Sequence, residues 1–302
     1  MNSFAKCFLS LLMFFQIENA WALKVGLVLD KGGKDDKSFN SAAYQGAMRA
    51  QKELGIELKY VETPDNASLE NFHRQFAKKD FDLIIGVGFA QQAAVQKIAA
   101  QSKDKNFLII DAEVKAPNVK SVMFREHEGS FLVGAAAALK STTGTVGFVG
   151  GMEIPLIKRF AVGYSAGAKA INPKIKIIEN YVGVTPDAWN NPAKAKELAL
   201  SQISSGADVI FAAAGASGNG VFDAVEEKKK LAIGVDSNQN GLRPGFILTS
   251  MVKKVDQSVF DAIKEVKESK FKSGISELGL KAGGIDYSID QYNEKILTAD
   301  II

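Results

Sequence analysis

The chain has 302 residues, 46% of them apolar and 24% charged, which is the composition of a folded protein and more chain than one core usually takes, so two domains are expected. Lysine and arginine number 37 against 34 aspartates and glutamates, a net charge of +3. So small a balance argues against nucleic-acid or membrane-surface binding.

Residues 1–22 read as a cleaved leader. Lys6 precedes the short apolar run FLSLLMFF, and Ala20, Trp21 and Ala22 form an A-x-A cleavage signal, so the mature chain is expected to begin at Leu23. The run is too short to span a bilayer. The single cysteine, Cys7, precedes it, whereas a lipid-attachment cysteine would have to follow it. A soluble periplasmic protein rather than a lipoprotein is therefore expected. Disulfides and thiol catalysis are excluded from the mature chain.

From Lys24 onward strands and helices alternate. KVGLVLD (24–30) reads as a buried strand, followed by a helix from about Asn40 to Leu54 with small and apolar residues at Ala43, Ala47, Ala50 and Leu54. Gly55 is its stop. IELKYVE is a strand and 67–78 a helix on which His73 is expected at the surface. DLIIGVG (82–88), a helix over 89–101 and FLIID (107–111) complete the first series. The second runs TVGFVG (145–150), a helix after Pro155, IKIIENYV, a helix over 192–205, DVIFAAAG (208–215), a helix from about 218 and LAIGVD (231–236). Continuous apolar strands between helices imply parallel sheets covered on both faces.

The two series echo each other at an offset of about 120 to 126 residues: DLIIGVG with DVIFAAAG, FLIID with AIGVD, AYQGAMRA with GYSAGAKA. The fold class expected is α/β, with two similar parallel-sheet lobes joined by a multi-crossover hinge. Lobe 1 would comprise 23–125 plus about 254–275, and lobe 2 126–253 plus part of 276–302. The segment 125–141 links the halves. The helix over 256–269 has no partner strand in the second half, so it returns to the first, and GLKAGGIDYSIDQYNEKIL crosses again. Several crossings make a hinge with a cleft between the lobes.

Ligands of parallel sheets sit beyond the carboxyl ends of the strands. There the chain places Asp30, Asp35, Asp36, Phe39 and Asn40; Gly88 and Phe89; Asp111; Gly151, Met152 and Glu153; Phe211 and Gly215; and Asp236 and Asn238. The set holds carboxylates, aromatics and glycines and no histidine. It suits a neutral ligand rich in N–H and O–H donors. Asp111 and Asp236 have caps as their plain alternative, and Phe211, inside an apolar strand, has the core. Phe39 stands in a polar loop, where a ring is better placed to stack on a flat ligand.

An enzyme is hard to build from these residues. Of the two histidines, His73 lies on a helix and His127 in the linking segment. Glu126, His127 and Glu128 are adjacent, so they point in different directions, and a hinge or helix-capping role is expected in place of a metal site. No cofactor is expected. GASGNG (215–220) follows a strand, opens a helix and precedes Asp236, as in a dinucleotide site, but its order is G-x-x-G-x-G rather than G-x-G-x-x-G. A tight turn into a helix is the simpler reading. Gly163 and Gly167 are expected to pack their helix closely on the sheet.

The motifs DKGGKDDKSFNSAAYQG, FREHEGSFLVGAAAAL, GFVGGMEIPLIKRFAVGYSAGAKAINP, WNNPAKAKELA, GADVIFAAAGASGNGVF, AIGVDSNQ and LTSMVKKVD together resemble the basic membrane protein family of substrate-binding proteins. The resemblance covers essentially the whole mature chain. It implies a two-lobed type I periplasmic binding protein that closes on a purine nucleoside (inosine, guanosine or adenosine) and feeds an inner-membrane ABC permease, as a monomer and without catalysis. It implies that Phe39 and Phe211 sandwich the base, that Asp236 and Lys253 hold the ribose, that Asp30, Asn40 and Asp111 contact base and cleft, and that Gly215 lines the pocket. Riboflavin or another flat heteroaromatic ligand is the alternative, as is a ligand sensor. GVTPDAWNNPAK is a few residues longer than the family's usual loop, which predicts that Trp189 is displaced.

Overall fold

The computed structural model describes residues 22–299 and 301. The leader expected over 1–22 lies, except for Ala22, outside the described residues, and so does Cys7.

Two six-stranded sheets organise the chain. The first contains β1 (Lys24–Leu29), β2 (Glu57–Glu62), β3 (Leu83–Val87), β4 (Asn106–Ile110), β5 (Val119–Phe124) and β11 (Gly274–Leu278), in the order β11-β5-β4-β3-β1-β2. The second contains β6 (Thr145–Met152), β7 (Lys176–Gly183), β8 (Val209–Ala213), β9 (Leu231–Asp236), β10 (Ile247–Lys253) and β12 (Ile285–Tyr287), in the order β12-β10-β9-β8-β6-β7. The orders superpose position for position. The edges differ: β11 runs parallel to β5, whereas β12 runs antiparallel to β10. Neither short edge strand is legible as a separate element in the apolar pattern, because β11 is largely exposed and β12 has three residues.

Each sheet hands a helix to the other. After β5 the chain enters α4 (Glu126–Lys140), which packs on α5 (Pro155–Ile171). After β10 it enters α8 (Val255–Lys267), which returns to pack on α1 (Phe39–Leu54). The third crossing joins β11 to β12. Both helix pairs approach backbone to backbone. A Cβ at Gly46 would overlap the Asp256 carbonyl, and one at Gly163 or Gly167 would overlap the carbonyl of His127 or Phe131. Gly163 and Gly167 therefore serve helix–helix contact with α4, a correction to the sheet packing expected of them.

His73, on α2 (Leu69–Lys78), is also corrected: it is fully buried. Its Nε2 shares a hydrogen bond of 2.7 Å with Gln91 Oε1, and Gln91 Nε2 donates to the carbonyls of Val28 and Val87. Burial holds the imidazole pKa down to about 4, so it is neutral at pH 7. Among the described residues no helix is long and apolar enough to cross a membrane.

Candidate functional site

The carboxyl ends of β1, β3, β4, β8, β9 and β10 converge on a cleft between the lobes, with about 570 Å³ of space not filled by protein atoms, part of it open to solvent. Seven of the eight residues assigned to binding from the sequence line it: Asp30, Phe39, Asn40, Asp111, Gly215, Asp236 and Lys253. Phe211 does not. It is fully buried in the lobe 2 core, with ring centroids 5.7 Å from Phe148, 5.4 Å from Tyr164 and 6.3 Å from Phe160. Phe160, near the start of α5, does line the cavity, and so does Trp189. The longer loop has not displaced Trp189 from the cleft: its ring meets Phe89 of lobe 1 edge-on at 6.3 Å.

Local sequence explains the polar half. Asp36 caps the start of α1. Its Oδ1 accepts from the backbone of Ser38 and Ser41 at 2.8 and 2.9 Å, and its Oδ2 from the backbone of Asn40 at 2.9 Å. That fixes the loop carrying Phe39. Asn40 in turn orients Asp30: its Nδ2 donates to Asp30 Oδ1 at 2.6 Å and its Oδ1 accepts the Asp30 N–H at 3.0 Å. Gly32 N also donates to Asp30 Oδ1. Asp30 Oδ2 accepts no hydrogen bond among the described residues and lies on the cavity side. Gly88 (φ +106°) forms the floor there, where a Cβ would come within 3.1 Å of that oxygen. Burial pushes the Asp30 pKa up to about 6, against the lowering effect of Gly32 and Asn40.

Asp111 and Asp236 end equivalent strands, β4 and β9, and both take the left-handed conformation, with φ of 64° and 63°. A non-glycine residue rarely does so, and such strain gathers at functional sites. Neither acts as a helix cap. Asp236 Oδ2 accepts from Ser38 Oγ across the cleft at 2.6 Å. Asp111 Oδ2 accepts from Lys253 Nζ at 2.5 Å. Burial raises both carboxyls, Asp111 to about 6, with Lys253 offsetting part of the effect in each. Burial disfavours the Lys253 ammonium, but Asp111, Glu126 and Asp236 outweigh it and hold its pKa above the usual lysine value. Lysine and Asp111 are therefore both ionised at pH 7. The ammonium is framed by Phe39, Phe124 and Phe160, 4.9, 5.1 and 5.6 Å from their ring centroids, distances at which ring faces attract a cation.

The lobes also touch each other directly. Ser237 Oγ donates to the Ser38 carbonyl at 3.0 Å, Gln239 Nε2 to the Lys37 carbonyl at 2.9 Å, and Lys31 pairs with Asp187. Ser38, Ser237 and Gln239 are site elements that the sequence reading passed over. Ser38 and Ser237 belong to the SFN and GVDS motifs themselves, and Gln239 stands two residues beyond the second.

Other candidates lie elsewhere. Asp35 is exposed, Asn238 donates to Asp290, and Gly151 lies under the Trp189 ring, where a Cβ would overlap it. In GASGNG, Ser217 Oγ donates to the Ala188 carbonyl and accepts the Asn191 N–H, and a Cβ at Gly220 would overlap the Pro192 carbonyl. These contacts tie the turn to the segment that carries Trp189. His127 is exposed while Glu126 is buried, so the adjacent acids do diverge. No group of three or more potential metal ligands occurs among the described residues.

Residues 23–301 match the family Bmp, described as ABC transporter substrate-binding protein PnrA-like. The chain is 33% identical over 300 residues to the ABC transporter nucleoside-binding protein BmpA of Lactococcus lactis, covering 92% of this chain and 84% of that one. It is 36% identical over 282 residues to an uncharacterised lipoprotein of Pyrococcus horikoshii, covering 88% of this chain and 69% of that one. Among solved structures it resembles an ABC transporter solute-binding protein from Aeropyrum pernix, with a TM-score of 0.84 and 33% identity over 89% of this chain and 77% of that one. A transcriptional activator of the comK gene from Bacillus halodurans has a TM-score of 0.77 at 25% identity, covering 92% and 93%. With two like sheets, a cleft between them and a family match over residues 23–301, the chain belongs to the Bmp family of PnrA-like ABC transporter substrate-binding proteins.

Proposed function

We propose that the cleft binds a purine nucleoside, which the protein delivers unchanged to an inner-membrane ABC permease. One observation carries the reading: an aromatic-walled cavity whose polar lining is almost wholly acceptors. Asp30, Asp111 and Asp236 offer carboxylate oxygens, and the lining lysine is already paired. Such a site favours a flat, neutral ligand with ring N–H and sugar O–H donors, each hydrogen bond to a charged acceptor contributing about 1.5–3 kcal/mol. Phosphate would meet three carboxylates. The Lactococcus lactis relative, named a nucleoside-binding protein, supports a nucleoside.

In this reading Phe39 stacks on the base, and Phe160 or Trp189 supplies the lobe 2 wall in place of Phe211, which backs Phe160. Asp30, held by Asn40, accepts a base N–H. Asp236 and Lys253 hold the ribose, with Asp111 beside them, and Gly215 leaves room for the ring. No histidine reaches the cavity as a general base.

Native mass spectrometry of the purified protein, followed by calorimetry with inosine, guanosine, adenosine and riboflavin, tests this. Saturable binding of at least one nucleoside, recovered intact, is the expected result. Binding of riboflavin alone would sink the nucleoside reading, and release of free base would show an enzyme.

A further inference from the structure

Glu126 is the first residue of α4, at the first crossover between the lobes, and its side chain has no exposed surface. Oε2 accepts from Arg159 Nε of α5 at 2.8 Å. Oε1 is buried without a hydrogen-bond partner and lies 3.7 Å from Lys253 Nζ. Lys253 ends β10, at the second crossover. Its other neighbour, Asp111, also has one buried oxygen without a partner, Oδ1. An ammonium has three N–H donors, and of those on Lys253 only the one to Asp111 Oδ2 is engaged within hydrogen-bond distance.

A buried acid in the first turn of a helix has a plain explanation, since the helix dipole and an arginine both favour it there. Those two interactions account for Oε2. They leave Oε1 unexplained, turned toward the lysine at a distance too long for a hydrogen bond and short enough for strong Coulomb attraction in a dry site. With Asp111 alone, the ammonium would be drawn onto both of that carboxylate's oxygens. A second carboxylate on the opposite side balances the pull.

We propose that Glu126 is a positioning residue: its charge holds the Lys253 ammonium off the second oxygen of Asp111, leaving one lysine N–H and one Asp111 oxygen for the ligand. Because Glu126 and Lys253 stand at two different crossovers, the pair also ties the ligand site to the hinge. The proposal rests on the reading of Lys253 as a nucleoside contact.

A double-mutant cycle tests it, with inosine affinity measured by calorimetry on the parent, Glu126→Gln, Lys253→Gln and the double variant, and melting temperature followed on each. Glutamine keeps an acceptor for Arg159 and removes the charge. With Lys253 present, Glu126→Gln is expected to weaken inosine binding about tenfold, and in the Lys253→Gln background by less than about twofold, the non-additivity of residues in one network. An equal loss in both backgrounds, or no loss in either, overturns the proposal, because a merely structural glutamate would act independently of the lysine. Should Glu126→Gln not fold, Glu126→Asp, which keeps the charge at shorter reach, replaces it in the cycle with the same non-additivity expected. If the parent binds no nucleoside, the nucleoside reading fails and this proposal falls with it; if the parent binds and Lys253→Gln alone has no effect, the role of the lysine fails and the nucleoside reading stands.

Discussion

The turn after β1 presents Asp30, Asp36, Phe39 and Asn40 to the cavity, whereas the equivalent turn after β6 in lobe 2 presents Leu156, Ile157 and Phe160. The sheets beneath are alike in strand order, in handing over a helix, and in the left-handed aspartate that ends β4 or β9. The two lobes thus share a scaffold and differ in the loop chemistry laid on it. In lobe 1 the turn after the first strand is DKGGKDDKSFN, in which Asp36 caps a helix and Asp30 faces the cavity. In lobe 2 the corresponding turn is GMEIPLIKRF, in which Pro155 starts the helix and its next residues form an apolar wall. In these two turns the polar side chains stand on lobe 1 and the apolar wall on lobe 2, while elsewhere both lobes supply aromatic rings and an aspartate to the cavity, and Asp236 bonds to Ser38 across it. The candidate site is built from loops at strand ends, which differ between the lobes while the strand order of the sheets beneath does not.

The sharpest way to break this comparison is to remove a ring from each lobe. Phe211→Ala hollows the lobe 2 core and should cost about 3–5 kcal/mol of stability, read as a lower denaturant midpoint. Inosine affinity in the folded fraction should change little. A large loss of affinity without a loss of stability would return Phe211 to the cleft.

Phe39→Ala should do the reverse. It removes a stacking surface worth about 1–3 kcal/mol, a weakening of about 5- to 150-fold at about 1.4 kcal/mol per tenfold, with a smaller effect on stability because the ring is only partly buried. Calorimetry with inosine decides it, and unchanged affinity would remove Phe39 from the site.

Acid should weaken the carboxylate acceptors of the cleft, Asp30 foremost. Asp30 titrates near 6 in the free protein, and a protonated carboxyl loses the charge that a donor on the ligand favours. Binding therefore favours the ionised form, releases a proton below about pH 6, and is tightest above it. One pH unit below the pKa about nine-tenths of the group is protonated, so affinity should drop about tenfold at pH 5 on account of this group. Asp111, also near 6, adds to the slope. Asp30→Asn should flatten the profile, and a pH-independent affinity in the parent would refute the role.

The smallest effect concerns the opposite wall. Trp189 is the only tryptophan after the expected leader, and it lines the cavity. Addition of nucleoside should change its fluorescence without the protein unfolding. A spectrum indifferent to saturating ligand would place the base away from lobe 2.

By itself the sequence determined the doubled α/β plan, because strands buried on both faces must be continuously apolar, and two such series at one offset leave little freedom of architecture. It also determined most of the polar site: Asp30, Asn40, Asp111, Asp236 and Lys253 stand at strand ends or inside recognisable motifs, where polarity is conspicuous. Only the tertiary structure decided which rings face the cleft. Phe160 and Phe211 are both buried phenylalanines, and which one lines the cavity depends on how α5 lies over β8, a contact that no local pattern encodes. The same holds for His73, whose partner Gln91 is 18 positions away, and for the glycines of α5, which serve a helix delivered from the other half. Glu126 is the clearest instance. Its neighbours in sequence are exposed or half-buried, and its importance arises from Arg159 and Lys253, brought beside it when two crossovers meet at the hinge.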